Sequence, residues 1–190
     1  MQNSRQLIIF GQVSLFLFLF ICFLLIPHFL LEANEGGVSN YGTYAKTVVP
    51  YTLAFALCGL LTIRAAVRLP RHVIHRRYLM KALMLLGVLY FAVLLSTYLY
   101  KLNHNLNNLH VLAGTMLAIY SMILSGWFVL VLAPSGKHRI IFLLQSLGFV
   151  ITILTYFGYI DILFIAELLT SGAFGVLLVE TIGQVTTDSS

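Results

Sequence analysis

Residues 78–100 read YLMKALMLLGVLYFAVLLSTYLY, a run of 23 residues in which Lys81 is the single charge. A helix rises about 1.5 Å per residue, and the hydrocarbon core of a bilayer takes about 20 apolar residues to cross. The run is long enough to span, and it has no polar face to turn toward water. Further runs of the same kind occur on both sides of it. The pattern predicts six spans, at about 7–31, 48–69, 78–100, 111–133, 140–159 and 162–179. Pro70 and Pro134 mark two helix ends, because proline has no N–H to continue a helix. Arg64 and Arg68 extend the second span by reaching toward headgroups. The first run follows Arg5, but it is longer than a signal-peptide core and has no small-residue cleavage site. It is expected to stay as a span.

Composition agrees with this reading. Only 9% of the 190 residues are charged and 60% are hydrophobic, whereas a soluble domain carries about 25% charged residues. The expected fold class is all-α: a polytopic integral membrane protein, one domain over residues 1–190, built as a bundle of six transmembrane helices. Orientation follows from the basic residues. Nine of the eleven Lys and Arg (Arg5, Arg64, Arg68, Arg71, Arg76, Arg77, Lys81, Lys137 and Arg139) fall on one side of the predicted bundle, with Lys46 and Lys101 on the other. The positive-inside rule then puts both termini in the cytoplasm. A bacterial plasma membrane is the expected location, with an endomembrane as the alternative. The net charge of +5 sits beside the spans, so the expected partners are membrane lipids, with anionic headgroups at the basic loop, and not nucleic acid. Cys22 and Cys58 lie inside apolar runs and read as small buried hydrophobes.

The outer side carries the candidate chemistry. A turn-rich loop, Glu35-Gly36-Gly37-Val38-Ser39-Asn40-Tyr41-Gly42, is suited to fold over helix ends as a lid. Helical spacing places His110, Gly114, Ala118, Ser121 and Ser125 on one face of span four, with Leu117 and Val129 off it. Gln145, Gly148, Thr152, Thr155 and Tyr159 make a seam on span five, and Glu167, Ser171, Phe174 and Leu178 align on span six. These three stripes predict a polar outer pocket between spans four, five and six. Glu167 lies inside the last span, where a carboxyl is costly unless protonated, paired or hydrated. His110 and Lys46 are its expected partners, and Ser39 and Asp161 complete the candidate ligand-binding set. Asp161 also predicts a very short turn between spans five and six.

His72, His75 and His138 stand among Arg and Lys and read as solvated or headgroup-facing. Zinc takes three or four ligands, for which His28, His104 and His110 are the candidates, at unspecific spacing. No metal and no cofactor are expected. No HExxH, phosphate loop or GxSxG occurs, so no enzyme class is indicated.

The stretches Gly37-Val38-Ser39-Asn40-Tyr41-Gly42, Leu109-His110-Val111-Leu112-Ala113-Gly114 and Gly175-Val176-Leu177-Leu178-Val179-Glu180 resemble those of six-helix membrane proteins of the DRAM/Sfk/Cwh type. They also resemble a related, largely bacterial family of uncharacterised membrane proteins. The resemblance implies a six-span fold, with Ser39 as the outer-loop serine, His110 as the histidine opening span four and Glu180 as the acidic residue ending the last span. Thr181 stands where the bacterial relatives often have Arg, and Asn40 stands where an acidic residue is common. The eukaryotic branch is associated with lipid-anchor remodelling and autophagy. The function expected is binding or modification of a lipid at the outer pocket. The alternatives are a non-enzymatic membrane subunit or scaffold, and a small proton-coupled transporter using Glu167.

Overall fold

Asn3 opens the first helix: its side chain accepts from the Gln6 N–H while the Gln6 side chain accepts from the Asn3 N–H, a reciprocal cap. The computed structural model describes residues 3–27 and 37–187. Its helices are α1 (Ser4–Leu25), α2 (Val48–Val67), α3 (Arg76–Leu102), α4 (Asn107–Trp127), α5 (Gly136–Tyr156) and α6 (Leu163–Thr187). A π-helical turn, Phe128–Leu132, continues α4, and short 3-10 turns occupy Val38–Gly42 and His104–Leu106. Among the described residues six helices are long and apolar enough to cross a membrane. Among the described residues there is no strand.

Several ends differ from the predicted spans, each for a local reason. α1 stops at Leu25 because Pro27 disfavours helical geometry in the residue before it; the expected run to residue 31 crosses that proline. α6 continues to Thr187, past the expected end at residue 179, carrying Glu180 and Gln184 beyond the apolar stretch. The link between α5 and α6 is residues 157–162, longer than Asp161 alone suggests. Gly158 (φ 75°) ends α5, with its N–H donating to Thr155 O at 2.9 Å and that of Tyr159 to Leu154 O at 2.9 Å. This is the paired capping that a left-handed glycine permits. Ser135 caps α5 by accepting from the His138 N–H.

Consecutive helices pack as neighbours along α1–α2, α2–α3, α3–α4 and α5–α6, and α6 closes the bundle against α1 and α4. α5 touches α4 little and is the least buried helix. α6 has two working faces. On one, Gly148 of α5 crosses so closely that a Cβ there would lie 2.9 Å from Thr170 N. On the other, Gly175 admits Gln12, whose Oε1 would lie 2.7 Å from an added Cβ, and Gly183 admits the Arg5 side chain. Small residues at such crossings let backbones approach, the usual packing device between apolar helices. α2 and α3 meet still more closely at Gly59 and Gly87.

The centre is filled by Leu7, Ile8, Leu79, Leu83, Leu86 and Leu177, all fully buried. Outside it lies a coat of exposed apolar side chains such as Leu130 (78% exposed), Leu143 and Ile123, far more than a water-facing surface tolerates. The expected stripes hold in part. Ser121, Ser125, Gln145 and Gly148 are buried, but Ser171 and Tyr159 are exposed and Gly114 has nothing within 4 Å of where its Cβ would be. Val129, expected off the face, is buried at 5% exposure, because it follows Ser125 by four residues and so continues the face of Ser121 and Ser125. His138 is also a correction. It is buried, with Nδ1 against Ala133 O at 2.5 Å, tying the start of α5 to the end of the π turn.

Candidate functional site

The chain folds Lys46 and Lys101 to one end of the bundle and the nine other basic residues to the opposite end. Glu167 lies in the first turns of α6 at the end bearing the two lysines. Its Oε2 accepts from the Val38 N–H at 2.6 Å, so the Gly37–Gly42 segment lies down on α6. Gly37 allows this: at φ 57° it holds a conformation that L side chains rarely adopt, and a Cβ there would come within 2.8 Å of Glu167 Cδ. Tyr41 anchors the same segment. It is fully buried, edge-on to Phe164 at 6.0 Å, with its hydroxyl donating to Ile26 O at 3.4 Å. Burial pushes the Tyr41 phenol up to about 12, which keeps it a neutral donor at ordinary pH. Thr47 closes the loop through a 2.7 Å bond from its hydroxyl to Tyr41 O.

Glu167 meets neither expected partner. Lys46 is exposed on the turn before α2, and Asp161 is exposed in the α5–α6 link. Ser39 is half-buried within the 3-10 turn. His28, Glu32 and Glu35 lie outside the described residues, as does the side chain of His104. Among the described residues no group of three His, Cys, Asp or Glu is placed to hold a metal.

His110 is held by α3. Its Nδ1 lies 3.3 Å from Ser96 Oγ and 3.4 Å from Thr97 Oγ1, and its ring stacks on Tyr100 at 5.8 Å. Both hydroxyls also donate to Val93 O, at 2.9 Å each. Assigning the hydroxyl protons to the shorter Val93 bonds puts the His110 proton on Nδ1, shared between Ser96 and Thr97, and makes Nε2 an acceptor. Thr97 Oγ1 in turn bonds the Tyr51 hydroxyl at 3.0 Å. Gly42, on the loop that Glu167 holds, lies against both residues, and an added Cβ there would come within 2.8 Å of the Tyr51 ring. His110 and Glu167 therefore do not meet across α4, α5 and α6; what lies between them is this loop with α2 and α3.

A comparison with protein families, curated proteins and solved structures finds no match for this chain. The site must be read from its own geometry. Tyr51, Ser96 and Thr97 are the members the sequence analysis missed. Their signal was the pair Ser96-Thr97, fourteen and thirteen residues before His110, across a helix hairpin whose link is only residues 103–106.

Beside this cluster, α3 and α4 enclose a lateral groove of about 230 Å³, walled by Leu95, Leu99, Leu112, Ala113 and Met116. Ser96 adjoins that wall, and its buried hydroxyl bonds the histidine behind it. At the opposite end Glu180, the acidic residue of the third quoted stretch, pairs with Lys137 at 3.0 Å.

Proposed function

We propose that this is a multi-pass membrane protein with both termini in the cytoplasm, which binds a lipid at the outer end of its bundle. The observation that carries the lipid reading is the apolar groove whose wall at Ser96 backs onto His110. An acyl chain lying in the groove brings its polar end to the histidine. Nε2 then accepts from a hydroxyl or amine, so the headgroup class is one with such a donor near the glycerol backbone. The loop resting on Glu167 closes the cluster from above. The likeness to the DRAM/Sfk/Cwh-type proteins points the same way and belongs to this proposal.

The nine-to-two distribution of basic residues between the ends supports the orientation. Cys22 and Cys58 are both buried, so single cysteines can be placed on a quiet background. A membrane-impermeant thiol reagent applied to intact cells should label Ser39→Cys and Asn105→Cys, and should miss His75→Cys and Ser135→Cys. Labelling at position 75 reverses the topology.

Native mass spectrometry of the full chain with added phosphatidylethanolamine tests the site. Ala92→Leu fills the groove and His110→Ala removes the acceptor. A net hydrogen bond is worth about 0.5–1.5 kcal/mol, so His110→Ala should lower retention by up to roughly tenfold. Equal retention by wild type and both variants would end the lipid reading.

A further inference from the structure

The larger of the two lateral grooves is at the other end of the same α3–α4 seam, about 410 Å³, lined by His75, Tyr78, Ala82, Tyr120, Ile123 and Trp127 among others. Its volume is in the range of ligand-binding clefts, about 300–1,000 Å³. The Tyr120 hydroxyl donates to Ala82 O at 2.9 Å and fixes the two helices at its floor. Tyr78 (70% exposed) and Ile123 (65% exposed) leave it open to the side. Tyrosine and tryptophan are the residues that favour the membrane–water boundary, with the ring body apolar and the polar atom wet.

The edge of the groove carries a cation. His75 lines the groove from the cap position of α3, and Lys81, beside Ala82 and one turn after Tyr78, is exposed next to it. Arg77 is exposed as well, but it stands about 100° around the helix from Tyr78 and faces away. Arg76 is committed elsewhere, its Nε donating to Leu69 O at 2.9 Å. Among the described residues, the acidic side chain at this end is Glu180, and Lys137 already pairs with it. An occupant with an anionic head and an apolar tail meets complementary chemistry at both parts. His75 also holds a left-handed backbone (φ 57°, ψ 23°) without being glycine, a strain of the sort found where a residue is placed for use.

We infer that this groove is a second, separate lipid site, specific for an anionic phospholipid, with one acyl chain between Tyr78 and Trp127 and the phosphate against His75 and Lys81. It shares no residue with the outer cluster, so the two sites stand or fall separately. A free phosphate ester does not suffice, because the apolar groove supplies part of the binding.

Trp127 is the single tryptophan of the chain, which makes it a built-in reporter. The full chain is placed in nanodiscs of phosphatidylcholine holding a minor fraction of brominated-chain lipid, either phosphatidylglycerol or phosphatidylcholine. Bromine quenches tryptophan only at contact. One basic residue near a membrane surface favours an anionic lipid roughly fivefold, so brominated phosphatidylglycerol should occupy the site at least fivefold more than its zwitterionic counterpart. Lys81→Gln should reduce that preference roughly fivefold, and Ala82→Leu should reduce quenching by both lipids. His75→Gly relieves the backbone strain while deleting the imidazole, so a weakened preference in a chain of undiminished thermal stability is expected and cannot come from misfolding. Equal quenching by both lipids in wild type identifies ordinary surrounding lipid and overturns the proposal. So does loss of the preference on adding an equal concentration of glycerol 3-phosphate.

Discussion

Replacing Gly87 by alanine should destabilise the bundle, whereas the same change at Gly114 should stabilise it. Both glycines are in helix interiors, where alanine gains about 1 kcal/mol in helix propensity. Their surroundings decide the sign. A Cβ at Gly87 would lie 2.8 Å from Gly59 O, and one at Gly59 would lie 3.0 Å from Gly87 O. Ile63 Cγ1 lies closer still to a Cβ at Gly87, but the obstacle that cannot give way in each case is a backbone carbonyl of the facing helix, which has no rotamer to move into. Overpacking of that kind costs about 1–3 kcal/mol, which exceeds the propensity gain. Gly114 has no atom within 4 Å of the added methyl, so the propensity gain stands alone. Gly87→Leu should be worse again and should separate α2 from α3. Thermal unfolding of the purified chain in one fixed detergent gives the order Gly114→Ala above wild type, then Gly87→Ala, then Gly87→Leu. If Gly87→Ala unfolds no lower than Gly114→Ala, the crossing of α2 and α3 is not where the structure puts it.

That crossing also shows where sequence reading stops. Run length and charge number the helices, because a bilayer sets both quantities and each can be counted along one chain. Which faces meet is another matter. α3 is apolar around most of its circumference, so no periodicity separates the side that carries Gly87 and faces α2 from the opposite side, where Ser96 meets His110. Gly59 and Gly87 are single glycines in different spans, and nothing local pairs them. On α4 a face can be drawn through Ser121 and Ser125, and both are buried. Carried on by four residues the same face reaches Val129, which is buried too, although the π turn in which it stands cannot be seen in a run of Phe, Val and Leu. His110 and Glu167 both stand out for the cost of polar atoms in hydrocarbon, which is a property of one residue. Their partners are properties of the fold. The histidine meets hydroxyls on the adjacent helix, and the carboxylate meets a backbone N–H from a loop.

The second large effect concerns that carboxylate. Glu167→Leu should release the Gly37–Gly42 segment from α6. Leucine removes the acceptor and leaves the Val38 N–H, 2.6 Å from Oε2 in the native chain, without a partner. An unsatisfied buried donor costs about 1–3 kcal/mol. Against this stands the relief of no longer placing a carboxyl in the apolar layer, at most about 2.5–3.5 kcal/mol at its centre and less near the rim. These terms nearly cancel in global stability, so a melting temperature alone decides little. Local opening decides more: Ser39→Cys should react with a soluble thiol reagent several-fold faster in the Glu167→Leu background, by the ~1–3 kcal/mol the anchor supplied. Glu167→Gln keeps an acceptor for Val38 and should leave the loop closed. Gly37→Ala attacks the same contact from the loop side. It forces a side chain into a conformation that costs about 1–3 kcal/mol and drives its methyl into the carboxylate. In a Glu167→Ala background the collision disappears while the backbone strain remains, so the double variant should be less damaged than the two single losses added together. The lipid reading adds one further requirement. If Glu167 closes a binding cluster with His110, Glu167→Leu and His110→Ala should each lose phosphatidylethanolamine retention, and combining them should lose little more. A scaffold requires the reverse, with Glu167→Leu as stable as wild type or more so and lipid retention unchanged. That outcome would reduce Glu167 to a latch for the loop and remove it from any binding site.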